Sequence, residues 1–296
     1  MQHYVLVSIG SFLAISPKLF WLILTKILGF LLFTFFSKRR KLAVNNLVLS
    51  FPSLGSPKIL KIFYASCTNI IEQGLLGLAW PFLTESKIKK LFTISQQKID
   101  VIKRKNLNSA GTLWLIPHFC HADAIAMLPR MLTLEKDVYA LFRPLKNESI
   151  NKFVKDSRER FGVKTIDRKD GGMLKTLKVL KRGETLAMLF DQNAGGAGTR
   201  LSFMGRECSC TTLPDILNKK YKPRILFVYT RRIGFWRSCI EVEEMESLKK
   251  GELVIEKANV WLEAKLRNDK KLRESWLWMH QRWKPGAGQP REGEIR

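Results

Sequence analysis

Short apolar runs and helically spaced apolar residues follow each other in turn along most of the chain. Runs bounded by Gly, Pro or polar residues are typical of buried strands; they cover residues 112–116, 138–142, 163–166, 185–190 and 224–229. Apolar residues near a 3.6-residue period predict helices over residues 58–80, 148–161 and 171–181. Strands that alternate with helices predict an α/β fold, with a mostly parallel central sheet flanked by helices.

The first forty residues are apolar over longer stretches than one core face needs. Residues 4–15 and 19–36 form two apolar runs, and the basic run Lys38–Lys41 follows them. The second run is at the short edge of membrane-crossing length, and the basic run would hold the rest of the chain in the cytoplasm. We expect a hydrophobic helical anchor with a basic flank over residues 1–41, which spans the membrane or lies in its interface. The alternative is a helical hairpin packed on the protein's own core.

Composition and charge narrow the class of protein. Lys and Arg number 51 against 26 Asp and Glu, which gives a net charge of +25, and 46% of the residues are hydrophobic. This apolar content excludes a disordered polycation, and 5 Cys are too few for a disulfide-stapled module. The positive field suits nucleic acid, an acidic membrane surface, an acidic carrier protein or a phosphorylated substrate.

The rest of the chain divides into two parts. No low-complexity linker interrupts residues 42–284, which we expect to form one domain. Residues 285–296 are rich in Gly, Pro and charge, and are predicted to be a flexible tail.

Polar residues follow several predicted strands, where parallel sheets gather their sites. His118 and Asp123 come after the first strand in a His-x4-Asp spacing. With His118 in the loop and Asp123 in the first turns of the next helix, the carboxylate can hold one ring nitrogen while the other acts as a general base. The alternatives are a structural histidine satisfied by a nearby carboxylate, and Cys120 as a nucleophile.

Two further strand ends carry candidate groups. Arg143 ends the second strand and could bind phosphate or stabilise an oxyanion, or be a surface cation. Asp191 follows the fourth strand and could cap a turn or orient a partner. The Cys and His residues lack the spacings of zinc sites, so no metal is expected.

A series of motifs runs in a fixed order along nearly the whole chain. They cover residues 39–47, Phe51-Pro52, His118–Asp123, 142–147, 158–162, 180–184, 191–193, 203–205 and 276–284. In this order they resemble the bacterial late acyltransferases of lipid A biosynthesis, the lauroyl/myristoyl transferase family within the lysophospholipid acyltransferase superfamily. The resemblance covers the apolar N-terminus as well.

The resemblance implies an acyltransferase on the cytoplasmic face of the bacterial inner membrane. It implies transfer of a fatty acyl chain from acyl carrier protein to a hydroxyl of an anionic, phosphorylated lipid A precursor, with no metal and no cofactor beyond the carrier thioester. His118 would be the base, Asp123 its partner, and Arg143 would hold the donor or the oxyanion. The acceptor-site candidates are Asp191, Gln192 and Gly205.

Two other functions stay open. Many family members have Glu where Asp123 stands, and Asp is the commoner choice in glycerolipid acyltransferases, so a glycerophospholipid or phosphatidylinositol mannoside is the alternative acceptor. The charge also permits a basic nucleic-acid-binding protein. Neither zinc-finger nor helix-turn-helix signatures occur, so no nucleic-acid partner is expected.

Overall fold

A seven-stranded sheet lies at the centre of the computed structural model, which describes residues 2–104, 110–169 and 171–284. The strands in these residues are β1 Phe92–Thr93, β2 Thr112–Ile116, β3 Val138–Phe142, β4 Val163–Asp167, β5 Thr185–Leu189, β6 Thr199–Phe203, β7 Arg206–Cys210, β8 Arg224–Gly234 and β9 Arg237–Glu244. The sheet order is β1-β9-β8-β2-β5-β3-β4, and β6 pairs with β7 in a separate hairpin. Neighbouring strands of the large sheet are parallel except for the antiparallel β8 and β9.

The predicted α/β architecture is confirmed, and each predicted strand lies in the sheet. β8 runs on to Gly234, because it turns there into a hairpin with β9. Neither β9 nor the β6–β7 hairpin was predicted from the sequence.

Helices cover both faces of the sheet. They are α1 Gln2–Ile15, α2 Lys18–Phe35, α3 Ser37–Ser50, α4 Ser56–Ala79, α5 Glu85–Leu91, α6 Gln96–Lys103, α7 Leu128–Leu132, α8 Glu148–Glu159, α9 Gly172–Lys181, α10 Leu213–Tyr221, α11 Val254–Asn268 and α12 Lys270–Ser275. Because side chains alternate along a strand, Leu186 and Met188 of β5 enter one core cluster while Ala187 between them enters the other. Burial on both faces explains why β5 reads as a continuous apolar run.

The consecutive N-terminal helices α1 and α2, here called the hairpin, each pack against α4, and Phe12 of α1 contacts Phe20 and Trp21 of α2 beside the turn. The close approach of α2 to α4 depends on a glycine, because a Cβ at Gly29 of α2 would lie 2.6 Å from Cγ2 of Thr68 on α4. Trp21 of α2 is buried and stacks on Trp236 at 6.3 Å between ring centroids. One side of the hairpin therefore belongs to the protein's own core.

The opposite side of the hairpin is apolar and exposed. Most of the large side chains there lie three or four residues from another one; on α2 they are Leu19, Phe20, Ile23, Ile27, Phe30, Leu31 and Phe35. α2 has 18 residues, a mean hydropathy of 1.8 and only 17% of that span buried, so by length and composition it can cross a membrane. The predicted anchor thus describes the exposed side of the hairpin, and the alternative of a hairpin packed on the core describes its buried side. The boundary expected at residue 41 falls inside α3, and the tail expected over 285–296 lies outside the described residues.

Candidate functional site

His118 and Asp191 meet at the carboxyl edge of the sheet. β2 and β5 are parallel neighbours with Ile116 opposite Leu189, and each of the two polar residues comes two positions after its strand's last residue. Nδ1 of His118 lies 2.5 Å from Oδ1 of Asp191, and the backbone N–H of His118 donates to Oδ2 at 2.8 Å. The contact fixes Nδ1 as the nitrogen that faces the carboxylate, and leaves Nε2 free to accept a proton.

Asp191 is buried and held in place from a distant part of the chain. Nε1 of Trp276 donates to its Oδ2 at 2.7 Å. Burial acts to raise the pKa of Asp191, but the charge of His118 and the hydrogen bonds from His118 and Trp276 outweigh it and lower the pKa to about 2. The carboxylate is therefore ionised at neutral pH.

The pKa of the His118 imidazole is shifted in the opposite direction, upward. Burial acts to lower its pKa, but the negative charge of Asp191 and their hydrogen bond outweigh burial and raise it; Asp123 adds to this, and Arg158 opposes it. The side chain is 21% exposed, so the ring is partly accessible from solvent. A base of raised pKa beside a fixed carboxylate can take a proton from a hydroxyl and hold it.

Asp123 lies near His118 but has a different direct partner. It stands in the 3₁₀ helix Ala122–Met127, and its Oδ1 accepts from Nε and Nη2 of Arg158 on α8 at 3.0 and 2.8 Å. The charge of Arg158 chiefly holds the pKa of Asp123 below its usual range. The sequence predicted that the Asp123 carboxylate would hydrogen-bond to the imidazole of His118. In the structure Asp191 makes this hydrogen bond, and Asp123 affects His118 through its negative charge.

The remaining predicted residues, Arg143, Gln192 and Gly205, form no hydrogen bond or ion pair with His118 in the described part of the chain. Arg143 is exposed at the carboxyl end of β3, beside β5. The carbonyl of Gln192 accepts from Nη1 of Arg282 at 2.7 Å. Gly205 has a φ of 75° in the turn between β6 and β7, so a tight turn accounts for this glycine.

A C-terminal segment, whose role was not predicted from the sequence, lies beside Asp191 and Gln192. Residues 276–282 run alongside Asp191 and Gln192, and Asn46 of α3 donates to the carbonyls of Trp278 and His280 at 3.0 and 3.1 Å. Burial lowers the pKa of His280 to about 4, with the charge of His118 among the further contributions. The high density of Trp in this segment was the available signal.

Glu72, Cys120 and His121 are the described residues whose donor atoms could hold a metal ion, all within 4.8 Å of one another. Both oxygens of Glu72 already accept hydrogen bonds from Arg232. A cation there would face a guanidinium, so the donor set fits an ion-pair network better than a metal. The Cys120 thiol donates to the carbonyl of Asn69 at 3.5 Å, and burial raises its pKa well above the ordinary value, which disfavours a nucleophile.

Comparison with known proteins gives one family. The model of the bacterial lipid A biosynthesis acyltransferases matches residues 1–285, which includes the N-terminal hairpin, the sheet and the C-terminal segment. No curated protein matches the sequence.

Proposed function

The chain belongs to the bacterial lipid A biosynthesis acyltransferase family, and we propose that it moves a fatty acyl chain from acyl carrier protein to a hydroxyl of a lipid A precursor, with His118 as general base. The observation that carries this proposal is the His118–Asp191 pair at the carboxyl edge of the sheet, with Nδ1 of a partly exposed ring on the carboxylate. An alcohol that attacks a thioester needs one base and one oxyanion stabiliser, and His118 would be the base.

In the proposed reaction, Nε2 of His118 takes the proton of the acceptor hydroxyl as its oxygen bonds to the thioester carbonyl. Asp191 stabilises the imidazolium that forms. The tetrahedral intermediate then collapses, the carbon–sulfur bond breaks, and the imidazolium returns the proton to the thiolate that leaves. We assign Arg143 to the donor or the oxyanion, because it is an exposed cation at the end of a strand beside β5. Neither step of this proposed reaction uses a metal or a redox cofactor.

The net charge and the exposed apolar surface support the proposed substrates and the proposed location at the membrane. Acyl carrier protein is acidic and the acceptor carries phosphates, and a net charge of +25 draws both. The exposed apolar side of α1 and α2 suits a bilayer, and Lys38–Lys41 directly after α2 favours anionic lipid on the cytoplasmic side of the inner membrane. Of the expected acceptor-site residues, Asp191 instead holds the imidazole of His118, and Gln192 and Gly205 remain candidates for the acceptor.

The test is transfer in vitro by the full chain in detergent. A panel of acyl carrier protein donors is paired with the tetra-acylated lipid A precursor and, in parallel, with a lysoglycerophospholipid. We expect transfer to the lipid A precursor, and its loss in a folded His118→Ala variant. Transfer to the glycerophospholipid alone would assign the other acceptor class, and near-normal transfer by His118→Ala would refute the base.

A further inference from the structure

A buried network of polar and charged side chains lies behind the loop of residues 117–122, here called the catalytic loop. We propose that Glu72 and His121 are positioning residues, which hold this loop so that His118 faces Asp191. The proposal rests on the proposed role of His118 as the base. Neither residue touches the reacting atoms; each acts through the backbone that carries His118 and Asp123.

The loop is tied down through two consecutive residues. The carbonyl of Cys120 accepts from Oγ1 of Thr230 at 2.8 Å. The N–H of His121 donates to Oε1 of Gln73 at 3.3 Å, and Nδ1 of His121 lies 2.9 Å from Oγ of Ser238. These partners come from α4, β8 and β9, so the loop is held between a helix and a hairpin that are far apart in sequence.

Glu72 connects the same elements at one buried carboxylate. Its Oε1 lies 3.2 Å from Nε2 of His121 and accepts the backbone N–H of Trp236 at 2.7 Å. Its Oε2 accepts from Nη2 of Arg232 at 2.8 Å. Burial acts to raise the pKa of Glu72, but hydrogen bonds and charges of His121 and Arg232 lower it on balance, so the group is an anion with partners on three sides.

The backbone of His121 explains why the loop needs such support. Its φ of 67° is in the left-handed region, which costs a residue other than glycine about 1–2 kcal/mol. His121 is three residues after His118, and the 3₁₀ helix that carries Asp123 begins directly after it. If this residue relaxed to an ordinary φ, the chain direction between the two groups would change. Imidazole contacts with Ser238 and Glu72 hold it in place.

The test separates the ring from the backbone conformation. His121→Gly removes the imidazole while relieving the left-handed strain, and His121→Asn keeps a polar group near Nδ1 in a residue type that tolerates positive φ. We expect His121→Gly to lower kcat by about tenfold or more with KM within about twofold, and His121→Asn to recover a larger part of kcat. The matched control is Lys222→Gly: Lys222 is exposed with a φ of 47° at the end of α10, and its replacement should leave kcat unchanged.

A folded His121→Gly variant with the wild-type kcat would overturn the proposal. If the His121 variants do not fold, Ser238→Ala decides, since it removes only the hydroxyl on Nδ1 of His121 and is expected to lower kcat about two- to fivefold without a change in KM; an unchanged kcat there also overturns it. His118→Ala is measured beside them with whichever acceptor supports transfer. Activity in His118→Ala refutes the proposed base, whereas wild-type kcat in the His121 and Ser238 variants refutes the positioning role alone.

Discussion

At the scale of single residues, the site depends on which carboxylate faces His118. Asp191 is buried, contacts Nδ1 and accepts from Trp276, whereas Asp123 is half-exposed and binds Arg158. The two acids therefore have different effects on the imidazole. Asp191 fixes its orientation and is the main cause of its raised pKa, whereas Asp123 raises that pKa further through its charge alone.

Asp191→Asn should lower kcat by at least about a hundredfold, because the amide cannot stabilise the imidazolium. The negative charge of Asp191 raises the pKa of His118, and a base works only when neutral, so removing that charge should move the acidic limb of the kcat/KM profile to lower pH. Asp123, Arg158 and His280 also face the ring electrostatically and remain in the variant. A pH series of initial rates measures both effects; an acidic limb that stays in place would contradict the assignment.

Asp123→Asn should lower kcat by only about tenfold and move the acidic limb less than Asp191→Asn does. Its ion pair with Arg158 is partly exposed, with side-chain exposures of 53% and 26%, so its loss should cost about 0–1 kcal/mol of stability. Asp123→Glu, which keeps the charge, is the matched variant and should retain more activity. If Asp123→Asn matched Asp191→Asn in both rate and pH profile, Asp123 would be the partner of the imidazole in solution.

The residues of the site were predicted better than their pairing. His118, Asp123 and Asp191 could be found because each follows a short apolar run, and parallel strands bring such positions to one edge. The pairing depends on the order β2-β5, which makes Asp191 the nearer carboxylate although it is 73 residues away. Spacing within one loop carries no information about that order. Trp276 and Glu72 were missed for the same reason, since their partners are set by tertiary packing.

At the scale of elements, the parallel strands were predictable and the β8–β9 hairpin was not. Strands buried on both faces read as unbroken apolar runs, whereas β9 alternates buried and partly exposed residues and contains four Glu and Arg positions. The hairpin supplies Ser238 to His121 of the catalytic loop, and Arg232 and the N–H of Trp236 to Glu72. Its absence from the prediction therefore also hid the network around Glu72.

The packing of α2 on α4 gives a prediction at this scale. A Cβ at Gly29 would lie 2.6 Å from Cγ2 and 3.0 Å from Cα of Thr68, and the Cα is backbone that cannot easily move away. Gly29→Ala should therefore destabilise the protein by about 1–3 kcal/mol.

The matched control is Gly77→Ala on α4, where an added Cβ meets nothing within 4 Å. That variant should be neutral or more stable by up to about 1 kcal/mol, because alanine is the better helix former. Thermal unfolding in detergent compares the two midpoints. Equal midpoints would mean that α2 does not pack on α4 as the structure describes.

At the scale of the whole molecule, one side is apolar and the net charge is strongly positive. The exposed residues of α1 and α2 form the apolar side, and the run Lys38–Lys41 begins directly beyond α2. Apolar contact and attraction to anionic lipid then act on the same surface, and only the second weakens with salt.

The double variant Ile23→Glu with Ile27→Glu should lose most of its binding to anionic lipid vesicles, because two charges would enter the apolar layer. Both side chains are about half exposed, so the fold should keep its thermal midpoint. Ile216→Glu on α10 is the control at a similarly exposed apolar position outside the hairpin, and should float with vesicles like the wild type. Equal flotation of the two variants would place the membrane contact elsewhere.

The site joins parts of the chain that are made at different times. Trp276 donates a hydrogen bond to Asp191. The segment after Trp276 is in turn bound by α3, since Arg39 donates to the carbonyl of Met279 at 3.2 Å and Asn46 donates to the carbonyl of Trp278. Asn46 and Trp278 are 232 positions apart, so translation yields one partner long after the other. A chain that lacks Trp276 would leave Oδ2 of Asp191 without its indole donor, so the site is complete only when nearly all of the described chain has been made.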